Sequence, residues 1–417
     1  MSAEPGVAAR GVTKRSLDAL LALHGAGAIK PGARYDALAR YEELPARAII
    51  RGGRGWKHDL AKLDLSGIVP FDRDGAELDL ETLVPAARRA GVVIERFSLA
   101  RERHRAEFER AFGRAFDTRD DNFASLALAF QNHGAFVHVP AGVVLEEPIL
   151  IGYEAREAAL FPYTLVSLGD GARVTIVERL GAASASAFVC GIVELVVGDR
   201  AHLTYVADQR TPADARLIFN RRALVGADAQ LDVGLAELGG GHAVSRFRAL
   251  ESARGARTGV TAVFFSDGDQ HVDLETETVH AAGATTSETV VRSAGTGRGQ
   301  GRYLGNIKIL ADAHGAEASL RDDALLLSPG AHIDSVPALE IAANDVKAFH
   351  GATVGAISEE ELFYAQSRGI ERRAAERMIA LGFFEPAVAR FPTDGLRVAI
   401  RAALENKLAP AEVESSV

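Results

Sequence analysis

Cysteine is almost missing from this chain of 417 residues: only Cys190 is present. That excludes an internal disulfide and any zinc or iron-sulfur site built from several cysteines of the chain itself. A metal held here must use histidine, carboxylate or a partner's ligands. Aromatic residues are also few, with one Trp, 7 Tyr and 19 Phe against 41 glycines, a balance that predicts turn-rich β structure. Basic residues fall short of acidic ones, 47 against 56, for a formal net charge of -9. No global positive field therefore draws nucleic acid or an anionic membrane. No apolar run approaches transmembrane length. The N-terminus lacks a basic segment followed by a long apolar one, since the most apolar early stretch, from Leu17, carries Asp18 and His24, and a cytoplasmic protein is expected. There is no G-x-x-x-x-G-K-[ST] phosphate loop, so ATP, if it is used, is bound by a partner. The 12 histidines show neither H-x-x-x-H nor HExxH spacing, which leaves no self-contained zinc site.

What is present changes character along the chain. Leu17, Leu20 and Leu21 recur at helical spacing behind Thr13 or Ser16, predicting a short helix over Thr13 to His24. Trp56 sits in a basic, Gly-rich stretch, RGGRGWKHDL, and is read as an anchor for an irregular segment. The segment from Ser98 alternates Glu and Arg around Phe108, Ala111, Phe112 and Phe116 and predicts a surface helix with His104 solvated. A further helix is expected on Phe123, Leu126, Ala127 and Phe130, capped by Asp121 or Asn122.

From Gly134 the pattern becomes short β-branched runs punctuated by Pro and Gly. A Gly-containing turn phrase recurs as GARVTI at Gly171, GDRAHL at Gly198, GADAQL at Gly226 and GARTGV at Gly255, with looser versions at Gly283, Gly315 and Gly330. Intervals of roughly 27 to 29 residues are those of a solenoid, whose coils must bury each other and whose ends need covers. Within RVTIVERL, Val174 and Ile176 are expected inward, Thr175 and Glu178 outward. After His350 the pattern is helical. Ser358 and Glu361 form a predicted capping box, Leu362 and Phe363 follow, and Gly369 stands where a helix ends. A second helix is expected over Ile370 to Leu381 with Arg372, Arg373, Glu376 and Arg377 outside, interrupted by Pro386, and a third over Thr393 to Leu408.

The glycine-rich run from Ala294 lacks the following helix of a dinucleotide loop and reads as a solenoid turn. Cys190, in an apolar run, reads as a small buried hydrophobe. Asp267 with Asp269, and Asp322 with Asp323, are read as turn formers, with the carboxylates of a glycan-cleaving enzyme as the alternative. His350, at the expected boundary between strand and helix, is either satisfied by hydrogen bonds to both ring nitrogens or offers a lone pair to a metal at a subunit boundary.

Three ordered blocks, GAFVHVPAGVVLEEPI from Gly134, DDALLLSPGAHIDSVPALEIAANDVKAFHGATVG from Asp322 and ELFYAQSRGI from Glu361, resemble the SufB/SufD family of the SUF iron-sulfur cluster assembly machinery, on its SufD side. The Trp56, Lys57, His58 and Leu60 segment adds to the likeness. The resemblance implies a mainly β fold, a right-handed parallel β-helix core between helical N- and C-terminal regions, here 1–130, 131–355 and 356–417. It implies a non-catalytic scaffold that pairs with a SufB paralogue through the core and carries the ABC-type ATPase SufC on C-terminal helices. Ser358, Glu361, Leu362, Phe363, Tyr364, Arg368 and Gly369 are the candidate docking residues. His350 matches the family histidine near the partner interface and is the candidate ligand to iron or a nascent cluster that passes through the complex, with no cofactor resident in the isolated chain. Where family members often show C-S-H before GATVG, this chain has Ala348, Phe349 and His350, so a soft ligand two residues upstream is missing. The other readings are a glycan-acting β-helix enzyme and a homodimer that works without the paralogue.

Overall fold

Short runs of alternating apolar residues separated by tight corners stack here as a parallel solenoid of about eight turns, with helices at both ends. The structure, a computed structural model, describes residues 10–25, 27–44, 63–70, 76–80, 85–117, 121–156, 159–182 and 186–409. The Trp56 segment and the tail from Pro410 lie outside these residues. Each coil gives one strand to each of two nine-stranded sheets. The first sheet runs β1 (Ala76–Leu80), β4 (Ile149–Ala155), β6 (Arg173–Ala182), β8 (His202–Gln209), β10 (Gln230–Glu237), β12 (Arg257–Ser266), β14 (Thr286–Gly295), β16 (Ala316–Leu326) and β18 (Val346–Ala356). The second runs β2 (Val93–Arg96), β3 (His133–Val139), β5 (Pro162–Leu168), β7 (Phe188–Val197), β9 (Arg216–Val225), β11 (His242–Glu251), β13 (His271–His280), β15 (Gln300–Ile309) and β17 (His332–Ile341). The N-terminal additions β1 and β2 pair antiparallel with β4 and β3.

The recurring turn phrase marks the corner that enters the first sheet. The left-handed residue of that corner is Gly171, Arg200, Asp228, Gly255, Ala284 and Gly315 in successive coils. Gly198 and Gly226 serve a different need: a Cβ on either would stand within 2.7 Å of Leu168 O or 2.6 Å of Asp199 Oδ1 in the coil before. Gly330, grouped with these corners by its sequence, precedes β17 and so lies at the opposite corner. The glycine run after Ala294 is a turn joining β14 to β15, as expected.

Inward rows are apolar, such as Val174, Leu203 and Leu231 in one register, but Glu178 corrects the expectation. Residues 174, 176 and 178 share the two-residue period, so Glu178 points inward with the other two and is 3% exposed. Its charge had assigned it outward, whereas its position decides. Burial raises its pKa, opposed by hydrogen bonding to Thr164 and the charge of Arg221. Arg221, itself buried, donates to Ser245 at 2.6 Å and to Glu237 at 3.1 Å.

Helices α1 (Lys14–His24), α2 (Pro31–Glu43) and α3 (Pro85–Arg89) are followed by α4 (Phe97–Arg103), α5 (Arg105–Ala111) and α6 (Asn122–Phe130). Thr13 caps α1 and Asp121 caps α6. The single surface helix expected from Ser98 is two helices broken at His104, where φ is −132° and ψ 50°. Its apolar side is buried: Phe97 stacks on Tyr163 at 4.6 Å, and Phe108, Ala111 and Phe116 join the core over the first coils. His104 is half-buried. Cys190 lies fully inside that core, its thiol donating to Phe123 O at 3.3 Å, with burial pushing its pKa up.

At the other end α7 (Glu359–Ser367), α8 (Arg372–Val388) and α9 (Asp394–Lys407) follow the last strand. Pro386 does not interrupt α8, which continues to Val388. Only its final turn lies beyond the proline, and Phe384, Ala387 and Val388 are buried against the first sheet together with Leu396, Ile400 and Leu404 of α9. Phe384 stacks on Phe265 with ring centroids 6.1 Å apart, and Lys407 reaches Asp267 and Gln270. Phe384→Ala is therefore expected to cost about 3–5 kcal/mol and to loosen α8 and α9 before the coils, which chemical denaturation followed by limited proteolysis would register.

Candidate functional site at the open end of the solenoid

The last coil, β17 and β18, closes each sheet with a strand bonded on one side only. A row of backbone N–H and C=O groups is left facing outward. Pro337 within β17 fits this place, since proline, having no N–H to give a ladder, is accommodated on edge strands. Every residue from Phe349 to Ala356 is exposed. Large apolar side chains are among the exposed ones on this coil: Phe349 at 67%, Ile341 and Val354 at 45% each. Lys347 pairs with Glu317 and Lys308 with Glu340 at its margins.

His350 lies in the middle of β18, not at the strand-to-helix boundary; six further strand residues, up to Ala356, separate it from the helical end. Its register partner is Leu320, 3% exposed in the central core. That row runs inward through Ile176, Tyr205, Val233 and Val260. His350 thus occupies a core position that no further coil covers. Its imidazole is exposed and has no hydrogen-bond partner among the described residues. No group of three or more His, Cys, Asp or Glu able to hold a metal occurs among the described residues.

One coil beneath, Asp322 and Asp323 are strand residues of β16, not turn formers. Asp322 shares the inward face, pairs in register with Ala352 and is fully buried. It accepts a hydrogen bond from Ser335 of β17, and its other oxygen has no partner. Burial pushes its pKa up to about 7, against the Ser335 hydrogen bond. Asp323 points to the outer face, where Arg292, Arg321 and Thr353 meet it. Asp267 and Asp269 do sit in a turn, held by Lys407 and Arg298. The four carboxylates weighed for glycan chemistry thus form no open acid/base pair.

The expected docking residues divide by role. Ser358 caps α7 by accepting from Glu360 N at 3.2 Å, without the reciprocal bond from Glu361. Leu362 is buried with Ala365 and Ala375 between α7 and α8, and Gly369 ends the helix at φ +84°. Phe363 and Tyr364 are 72% and 62% exposed, as is Met378 of α8 at 51%. Arg368 lies over the Tyr364 ring, 5.2 Å from its centroid. Arg372 ties α8 to Glu359 of α7. The result is a small two-helix unit with an aromatic face left in water, joined directly to the strand that carries His350. Sequence reasoning missed Asp322 and Asp323; their positions in the two-residue period of β16 were the available signal.

A family model described as SUF system FeS cluster assembly, SufBD core domain, matches residues 151–383. The chain is 26% identical over 331 residues to an iron-sulfur cluster assembly SufBD family protein of Staphylococcus saprophyticus, covering 78% of this chain and 70% of that protein. It is 27% identical over the same shares to a SufBD family protein of Staphylococcus epidermidis and 26% identical to one of Staphylococcus aureus.

The buried Asp322 carboxyl carries a pH signature. With its pKa raised from 3.8 to about 7, the folded chain keeps a proton that the unfolded chain releases, so stability falls as pH rises through that window. Asp322→Asn should remove up to about 4 kcal/mol of this dependence. Denaturant unfolding at pH 5 and pH 8 for both chains checks it: the gap between variant and wild type should grow in the variant's favour at the higher pH.

Proposed function

This chain belongs to the SufBD family of iron-sulfur cluster assembly proteins, and from that membership we propose that it is the SufD-type scaffold of a cytoplasmic SUF complex. The carrying observation is the uncovered last coil with an unpartnered histidine at a core position. A surface with open strand edges and exposed apolar side chains is suited to another solenoid end, and a SufB-type paralogue is the proposed occupant. In this reading His350 supplies one imidazole to iron or a nascent cluster at the subunit boundary, while the paralogue supplies sulfur and the remaining ligands. The buried position of Cys190 supports the SufD side of the family, because that thiol cannot reach a cargo.

The α7–α8 unit is proposed as the seat of the SufC-type ATPase, with Phe363 and Tyr364 as the apolar contact and Arg368 stiffening the tyrosine ring. Ser358, Glu361, Leu362 and Gly369 shape the unit. Hydrolysis belongs to that partner and the chain itself is not an enzyme. The division into 131–355 for pairing and 356–417 for docking follows from the same reading, with 1–130 as the remaining N-terminal region. In the absence of the paralogue the same open edges favour a second copy of this chain, and sedimentation with and without a SufB-type protein separates the two pairings.

His350→Ala is expected to leave folding intact, since the side chain packs against no later coil, and to abolish cluster build-up in the reconstituted complex as followed by visible absorption; normal build-up removes the ligand role. Replacing Phe363 and Tyr364 together with Ser should weaken association with a SufC-type ATPase by about tenfold or more, read by titration calorimetry, with pairing to the paralogue unchanged.

A further inference from the structure

The strand bearing His350 is joined to α8 by a line of side chains on the outer face of the first sheet. Arg292, Asp323 and Thr353 occupy one register row on the last three coils of that sheet. The Asp323 carboxylate, whose side chain is 5% exposed, forms an ion pair with Arg292 Nη1 at 2.7 Å and accepts from Arg321 Nε at 2.8 Å and from Thr353 Oγ1 at 2.5 Å. Burial alone would raise its pKa, but hydrogen bonds from Arg321 and Thr353 and the charges of Arg292 and Arg321 hold it below the usual carboxylate range. The Arg292 guanidinium in turn lies over the ring of Phe383, 4.9 Å from its centroid. Phe383 belongs to α8 and packs edge-on against Phe384, the residue stacked on Phe265.

Thr353 stands three residues beyond His350 on the same strand, so it faces the helices while His350 faces the core row. Elsewhere β18 has neighbours in its own sheet only on the β16 side. A shift of α8 that moves Phe383 displaces Arg292 and takes from the carboxylate its ion-pair partner. The hydrogen bond it accepts from Thr353 then changes with it.

We propose that Asp323 is a positioning residue: it sets the His350 strand according to the position of α8, through Phe383 and Arg292 on one side and Thr353 on the other. Its use in cluster assembly rests on the reading above, in which α7 and α8 seat the ATPase and His350 meets the cargo. The coupling itself is a property of this chain alone.

The test is a double-mutant cycle on the full-length chain, read by hydrogen exchange of the β18 amides. Phe383→Ala should speed exchange in β18 by about tenfold and leave β10 unchanged. Asp323→Asn should speed it similarly, and the double variant should go no further than either single one. Arg390→Ala, which breaks the contact of Arg390 with Glu288, should leave β18 as it is. Thr353→Val removes only the last link and serves where Asp323→Asn fails to fold: in its background Phe383→Ala should no longer affect β18. Additive effects in the cycle, or β18 exchange indifferent to Phe383→Ala, overturn the proposal. Failure of the wild-type chain to bind a SufC-type ATPase would instead sink the docking reading and leave the cycle standing.

Discussion

Each coil of this solenoid buries its inward side chains only beneath the next one, and everything distinctive about the molecule follows from where that requirement is met and where it is not. At the N-terminal end Ala87 of α3 and Val92 join the inward core, while α6, wholly buried, and its neighbouring helices cover the outward apolar residues of the second sheet over the first coils. Along the first sheet α8 and α9 cover the outward apolar rows. At the last coil the requirement is left open, and His350 takes the place of a core residue with nothing above it. In a family concerned with iron-sulfur cluster assembly, an open coil that presents an imidazole is consistent with a boundary completed by another subunit.

The interior is not uniformly apolar, and several of its polar members are held by one another. Arg221 donates to Glu237 of the facing sheet and to Ser245 of its own, and Tyr303 shares a hydrogen bond with Thr276 one coil back in the same sheet. Such groups contribute little net stability and fix register instead, since a slip of one residue would leave each of them buried without its partner. Near the open end the same logic yields Asp322, a carboxyl whose pKa burial raises, and Asp323, a carboxylate whose pKa its partners lower, on opposite faces of one strand. Asp322 closes the core beneath the last coil, and Asp323 lies between that coil and the Arg292 stacked on α8.

The repeat, the parallel solenoid and the helical ends were legible because corner glycines and β-branched runs recur at nearly constant spacing. What was misread was read from residue type against position. Glu178 was placed outside by its charge although its place in the two-residue period puts it inside. Asp322 and Asp323 were assigned to a turn by composition although they continue a strand. Pro386 was taken as a stop, but with one turn left to its helix and a buried face around it, tertiary packing outweighs the lost hydrogen bond. His350 was placed at the end of its strand although it lies in the middle, because a strand exposed on its last edge has lost the alternation by which strands are recognised.

The claim that the last coil is a subunit boundary is tested most directly by amide hydrogen exchange of the chain alone and in the presence of a SufB-type paralogue. Strong protection should appear over residues 346–356 and 332–341, with the coils around β8 and β10 unaffected. Binding of the paralogue with exchange in β17 and β18 unchanged would contradict the account.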